Sequence, residues 1–145
     1  MSAEQVFGIA GQITIVCWVL LAASLFIPRL RPGTQWVGLT GLPVLIGLVY
    51  LYAMVTGYGT TQGSFDSLAS VREMFSSDWL LLAGWVHYLV FDYFVGAWVV
   101  RDSQAKGLSG WLILPCLFLC LMAGPLGLLL YLALRGGQRL TARAA

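Results

Sequence analysis

Hydrophobic positions along the chain fall into four long blocks, Val6–Ile27, Trp36–Val55, Trp79–Val100 and Leu112–Leu134, separated by polar stretches. Each block is long enough to cross a hydrocarbon core of about 30 Å as a helix rising about 1.5 Å per residue. None shows the alternation of apolar and polar residues that a barrel strand needs. Backbone groups cannot find water inside lipid, so helices are the expected element. The pattern predicts an all-α fold: a four-transmembrane-helix bundle forming a single integral membrane domain over residues 1–145, with spans near 6–27, 36–55, 79–100 and 112–134.

The polar stretches predict how these spans connect. Pro28-Arg29-Leu30-Arg31-Pro32-Gly33 is expected to end the first helix sharply, because proline cannot continue it and glycine tolerates the turn. The stretch Thr56–Asp78 opens on an irregular run rich in glycine and threonine. It continues as Phe65–Phe75, with Phe65, Leu68, Val71 or Arg72, and Phe75 at helical spacing. That spacing predicts a short amphipathic helix lying in the interface between the second and third spans, capped by Ser64 or Asp66. Arg101–Gly110 is expected as a polar connection, and a tail carrying Arg135, Arg139 and Arg143 follows the fourth block.

Composition agrees with this class. The chain is 59% hydrophobic and 10% charged, against about 25% charged in an ordinary soluble domain. A soluble domain this small has too much surface to leave so greasy. The net charge of +2 and the lack of a dense basic run give no sign of a nucleic-acid partner. Four spans would put Arg72, Arg135, Arg139 and Arg143 on one side and Arg29, Arg31, Arg101 and Lys106 on the other, so counting positive charges gives no orientation. The N-terminus lacks the basic stretch and cleavage site of a removable signal, and no transit peptide precedes the first block. A multi-pass protein of a bacterial inner membrane, or a mature organellar form, is expected. Cys17, Cys116 and Cys120 all fall inside apolar blocks without a CxxC pair and read as small packing residues.

Candidate chemistry sits in the third block. Trp79–Val100 holds His87 and Asp92 near its middle, and a carboxyl at that depth costs about 2.5–3.5 kcal/mol on insertion scales. Helical spacing gives one stripe of Trp85, Tyr88, Asp92, Gly96 and Val99 and another of His87, Phe91, Phe94 and Trp98. His87 and Asp92 therefore point apart, whereas Tyr88 and Asp92 can pair at i, i+4. Asp92 reads either as a proton donor or acceptor facing the bundle interior, held neutral by the low dielectric, or as a hydrogen-bond donor that ties helices together. His87 reads either as a base or as a buried imidazole satisfied by one carbonyl. One histidine and one intramembrane carboxylate are too few to hold a metal. Aromatic side chains including Tyr50, Tyr52, Trp85, Tyr88, Phe91, Tyr93, Phe94 and Trp98 could line a slot for a long flat ligand. Trp36, Trp79 and Trp111 suit an interfacial belt instead. Gly124-Pro125-Leu126-Gly127 is expected to kink or open the fourth helix, freeing carbonyls near residue 121 to accept from His87 or to meet a ligand.

The runs WVHYLVFDYFVGAWVVRD and AGPLGLLLYL resemble the signature of the neoxanthin synthase family, the abscisic-acid-deficient-four-like integral membrane proteins. Trp18-Val19-Leu20-Leu21 before Pro28, and Phe65-Asp66-Ser67-Leu68 with Val71 and Phe75, extend the resemblance over nearly the whole chain. The resemblance implies carotenoid metabolism: a cofactor-independent isomerisation that opens an epoxide and forms an allene by acid/base catalysis within the bilayer. On that view Asp92, helped by Tyr88, is the acid and His87 the base. Trp85, Phe91, Tyr50, Gly96 and Pro125 would contact the substrate. The expected partners are a carotenoid or other isoprenoid lipid and the membrane lipids, with a homodimer able to enclose the ligand between protomers. The alternatives are a non-enzymatic carotenoid- or lipid-binding membrane protein, an accessory subunit of a carotenoid-modifying complex, and a small proton-coupled transporter. The lack of an internal inverted repeat counts against the transporter.

Overall fold

The computed structural model of the protein describes residues 1–144, with side chains through Gly137. Arg139 and Arg143 of the expected basic tail lie outside the described side chains. Among the described residues every regular element is helical. Three helices are long and apolar enough to cross a membrane, Ala3–Ala23, Pro28–Gly57 and Asp78–Ala105, and two shorter apolar helices follow, Gly110–Ala123 and Pro125–Gly137. This is a membrane protein.

Helix α1 (Ala3–Ser24) begins with a capping box: Ser2 Oγ accepts from the Gln5 amide and the Gln5 side chain accepts from the Ser2 amide. The first helix ends before Pro28, as expected, and the chain then resumes helix almost at once, so that residues 28–33 already belong to the next helical stretch. A 3₁₀ turn at Pro28–Leu30 leads into α2 (Arg31–Trp36), a π-turn at Val37–Gly41 and α3 (Leu42–Gly57). Pro28 and Pro32 stand in the first turns of their helical pieces, where a missing N–H breaks no hydrogen bond and the fixed φ suits the helix. The π-turn also has a sequence cause. Pro43 falls in the first turn of α3, and the ladder widens to Leu42 N–H donating to Val37 O just before it.

The segment between α3 and the next long helix contains α4 (Leu68–Met74), shorter than the expected Phe65–Phe75. Its cap is Ser67, whose hydroxyl accepts from the Ser70 amide at 3.1 Å, rather than Ser64 or Asp66. Those two residues bond each other in the preceding loop, and the Ser64 hydroxyl holds the Asp66 carboxyl below its usual range. Helix α5 (Asp78–Ala105) then runs five residues past the predicted span. Arg101 and Asp102 belong to it, because Asp102 pairs with Lys106 across one turn at 2.5 Å and the left-handed Gly107 stops the chain only afterwards.

The fourth apolar block is the largest departure from the sequence pattern. It is two helices, α6 (Gly110–Ala123) and α7 (Pro125–Ala144), folded back on each other at Gly124. Gly110 starts α6 beside Leu25 and Phe26, where α1 ends, and Gly124 lies halfway along α5 against Asp92. From there α7 returns: Tyr131 meets Trp98, and Arg135 meets Asp102. Gly127 rests against the backbone of Cys116 and Cys120, so the two arms touch closely because position 127 carries no side chain. At about 1.5 Å per residue α6, and the apolar part of α7 over Pro125–Gly137, are each about 20 Å long, short of a hydrocarbon core. Gly124, at φ +20°, supplies the reversal that a kink alone would not.

Helix α5 is the axis around which the rest assembles. Tyr93, fully buried, packs edge-on against Trp18 at 5.4 Å and donates to the Cys17 carbonyl at 3.2 Å. Gly96 admits the Trp18 ring, since a Cβ there would stand 2.6 Å from it. Gly96→Val should therefore lower stability by about 1–3 kcal/mol through overpacking against Trp18. Gly8→Ala, where a Cβ meets nothing within 4 Å, should leave it within about 0.5 kcal/mol. Thermal unfolding in detergent measures both.

Candidate functional site

The two polar residues of the third block face different surroundings. His87 lies on the outer face of α5, in a groove of about 530 Å³ lined by Pro43, Gly47 and Tyr50 of α3 and by Val90, Phe91 and Phe94 of α5. A smaller groove of about 200 Å³ lies between the same helices beneath the 65–75 segment, lined by Met54, Phe65, Met74, Phe75 and Gly84 among others. Tyr50 and His87 line both grooves. Their rings stand 5.9 Å apart and Phe91 sits 4.6 Å from the imidazole, so the two rings form a waist in an otherwise apolar slot. From Leu80 to Phe94 the slot follows α5 for roughly 21 Å. Its walls are aliphatic and aromatic, its shape is elongated and it opens sideways from the bundle, which suits a long apolar chain better than a compact polar ligand.

Asp92 points the other way, into the reversal between α6 and α7. A Cβ on Gly124 would lie 2.5 Å from Asp92 Oδ1, so only glycine lets the carboxyl and the turn approach this closely. Tyr88, one turn earlier, donates its hydroxyl to the Leu121 carbonyl at 3.1 Å. That carbonyl is one of those the end of α6 leaves free. The Gly124 carbonyl accepts from the amides of Gly127 and Leu128. The Tyr88 hydroxyl also lies near enough to the Asp92 carboxyl to interact with it. With its proton committed to Leu121, the phenol oxygen is left as an acceptor beside Asp92. Asp92 Oδ2 is buried and has no hydrogen-bond partner among the described residues.

The remaining candidates are scattered. Trp85 stacks between Phe7 at 5.3 Å and Tyr88 at 5.5 Å and lines a separate groove near the N-terminus with Ser2, Glu4 and Asp78. Gly96 is occupied by Trp18. Pro125 opens α7 on the outer surface. The structure thus brings His87, Tyr50, Phe91 and Phe94 together and places Tyr88 and Asp92 at the hairpin tip. The Leu121 carbonyl is taken by Tyr88, not by His87 as the freed-carbonyl expectation allowed. Among the described residues, no three of His, Cys, Asp and Glu are placed to hold a metal ion.

A second polar cluster escaped the sequence pattern. Asp102, near the end of α5, accepts from the hydroxyl of the fully buried Tyr131 and lies 2.5 Å from Lys106 Nζ and 3.4 Å from Arg135 Nε. The Arg135 guanidinium sits 5.8 Å over the Trp98 ring, and that ring meets Tyr131 edge-on. The available signal was a pair of i, i+4 spacings, Asp102/Lys106 and Tyr131/Arg135, each facing the other across two helices.

A family model described as ABA DEFICIENT 4-like matches residues 5–131. No curated protein and no solved structure matches the chain.

Gly124→Ala should destabilise the protein by about 1–3 kcal/mol, since a side chain is strained at this φ and also meets the carboxyl. Asp92→Ala should recover part of that loss when combined with Gly124→Ala. A double-mutant cycle of thermal midpoints in detergent measures the coupling, and simple additivity would separate the two residues.

Proposed function

The chain belongs to the ABA DEFICIENT 4-like family, and from that footing we propose that it binds a carotenoid or related isoprenoid within the bilayer and isomerises it by proton transfer, without a redox cofactor. The observation that carries this reading is the elongated α3–α5 slot, whose waist holds an imidazole and a phenol in otherwise apolar walls. An isoprenoid chain would enter sideways from lipid and lie along α5. A four-span count is replaced in this reading by three spans and a C-terminal hairpin, with α4 lying at the interface above the smaller groove.

An epoxide-to-allene rearrangement needs one proton removed from carbon and one delivered to the epoxide oxygen, with no net redox change. His87 is the base: one imidazole nitrogen takes the proton from the polyene carbon as the electron pair left behind forms the new double bond and the C–O bond breaks. Tyr50, at the same waist, donates its phenol proton to the departing oxygen. Proton return from the imidazolium to the phenolate restores both groups. Asp92 and Tyr88 are positioning residues in this reading. They hold the α6–α7 reversal against the back of α5, and α5 carries His87 on its opposite side.

In a carotenoid-producing host, His87→Ala should reduce conversion of the extracted pigment by about 10²-fold or more, and Tyr50→Phe should reduce it with the fold intact. Asp92→Asn, which keeps the shape of the carboxyl, should retain conversion. Chromatography of the pigments checks all three. Conversion that survives His87→Ala but is lost in Asp92→Asn would return the chemistry to the hairpin side. Pigment that copurifies with the protein but is chemically unchanged would make the chain a binder.

A further inference from the structure

The reversal at Gly124 changes how the chain must sit in a membrane. The ends of the long helices form two groups. One end gathers Ser2, Glu4, Asp78 and α4, with the Thr60 hydroxyl donating to Ser77. The other end gathers the close of α1, the start of α2 and the close of α5. There the Arg31 side chain donates to the Ser24 carbonyl, the Gln35 side chain to the Ala97 carbonyl, and Phe26 stacks on Trp111. Helix α6 leaves this second end at Gly110, and α7 comes back to it at Arg135.

We propose that α6 and α7 form a re-entrant hairpin, so that the chain crosses the membrane three times and its C-terminal segment leaves on the same face as Arg29, Arg31, Arg101 and Lys106, the face apposed to an anionic cytoplasmic leaflet. Three independent observations carry this. Helix α6 and the apolar part of α7, Pro125–Gly137, are each about 20 Å long and too short to span. Gly124, where the backbone turns at mid-depth, is buried in protein, with the freed Leu121 carbonyl taken by Tyr88 and the Gly124 carbonyl by the first turn of α7. That is the condition under which irregular backbone is tolerated at that depth.

The third observation is charge. A four-span count divided the basic residues evenly, whereas the hairpin gathers Arg29, Arg31, Arg101, Lys106 and Arg135 at one end with the single acid Asp102, and leaves Arg72 at the other with Glu4, Asp66, Glu73 and Asp78. Arg139 and Arg143 follow Arg135 in the sequence. Short cytoplasmic segments carry such an excess of Lys and Arg, and each basic residue near an anionic leaflet gains about 1 kcal/mol. The Asp102–Tyr131–Arg135 cluster is then a latch holding the returning arm to the cytoplasmic end of α5.

Single cysteines test the topology in a bacterial inner membrane, with the unaltered protein as the blank for Cys17, Cys116 and Cys120. Gln62→Cys, Ser109→Cys and Gly136→Cys all lie at exposed positions, and a Cβ at Gly136 meets nothing within 4 Å. A membrane-impermeant maleimide should label Gln62→Cys in spheroplasts, and Ser109→Cys and Gly136→Cys only in inside-out vesicles. A second measurement guards against variants that misfold. A fluorescent protein fused after residue 145 should fold and fluoresce, while an alkaline phosphatase fused there should be inactive. Labelling of Gly136→Cys from the Gln62 side, labelling of one position from both sides, or an active phosphatase fusion would overturn the proposal.

Discussion

A chain reversed inside an apolar bundle must find protein partners for the backbone groups that the reversal frees, and in this molecule that requirement falls on the meeting of Gly124 with Tyr88 and Asp92. Every unsatisfied carbonyl at that depth costs several kcal/mol, and α5 meets the reversal with the Tyr88 phenol, which donates to the Leu121 carbonyl. The glycine is required twice, once by its φ and once by the closeness of the carboxyl. The course of α7, the latch at Asp102 and the gathering of basic residues at one end all follow from this one contact.

The same contact separates two kinds of polar residue on α5. Asp92 and Tyr88 look inward toward the hairpin, while His87 looks outward into the slot it shares with Tyr50. One face of the helix thus packs against the reversal, and the opposite face borders the elongated apolar slot. Intramembrane carboxyls invite a functional assignment by default, and here Asp92 lies against the reversal at Gly124 rather than in the slot.

Much of the fold was legible because hydrophobic periodicity reports burial and length directly. The blocks led by Val6, Trp36 and Trp79 correspond to long helices, and the Gly124-Pro125 break falls where the chain turns. Hydropathy is silent on direction, however. A kinked span and a hairpin share one apolar profile, and Leu112–Leu134 reads identically in both. What distinguishes them is the polar pairing of Asp102 with Tyr131 and Arg135, residues far apart in sequence whose partnership only a fold reveals. The prolines at 28 and 32 mark the end of the first helix, and they equally start the next, so the second helical stretch begins before Trp36. At the site, helical spacing set His87 and Asp92 on different faces, but the pairing of His87 with Tyr50 rests on the packing of α3 against α5, which spacing within one helix does not encode.

The distance between the ends of the hairpin bears most directly on this account. Spin labels at Ser109→Cys and Gly136→Cys, measured by pulsed dipolar spectroscopy in lipid nanodiscs, should give a narrow distribution well below the hydrocarbon thickness of roughly 30 Å. A distribution centred at or beyond that thickness would mean that the C-terminal segment crosses the bilayer, and would contradict it.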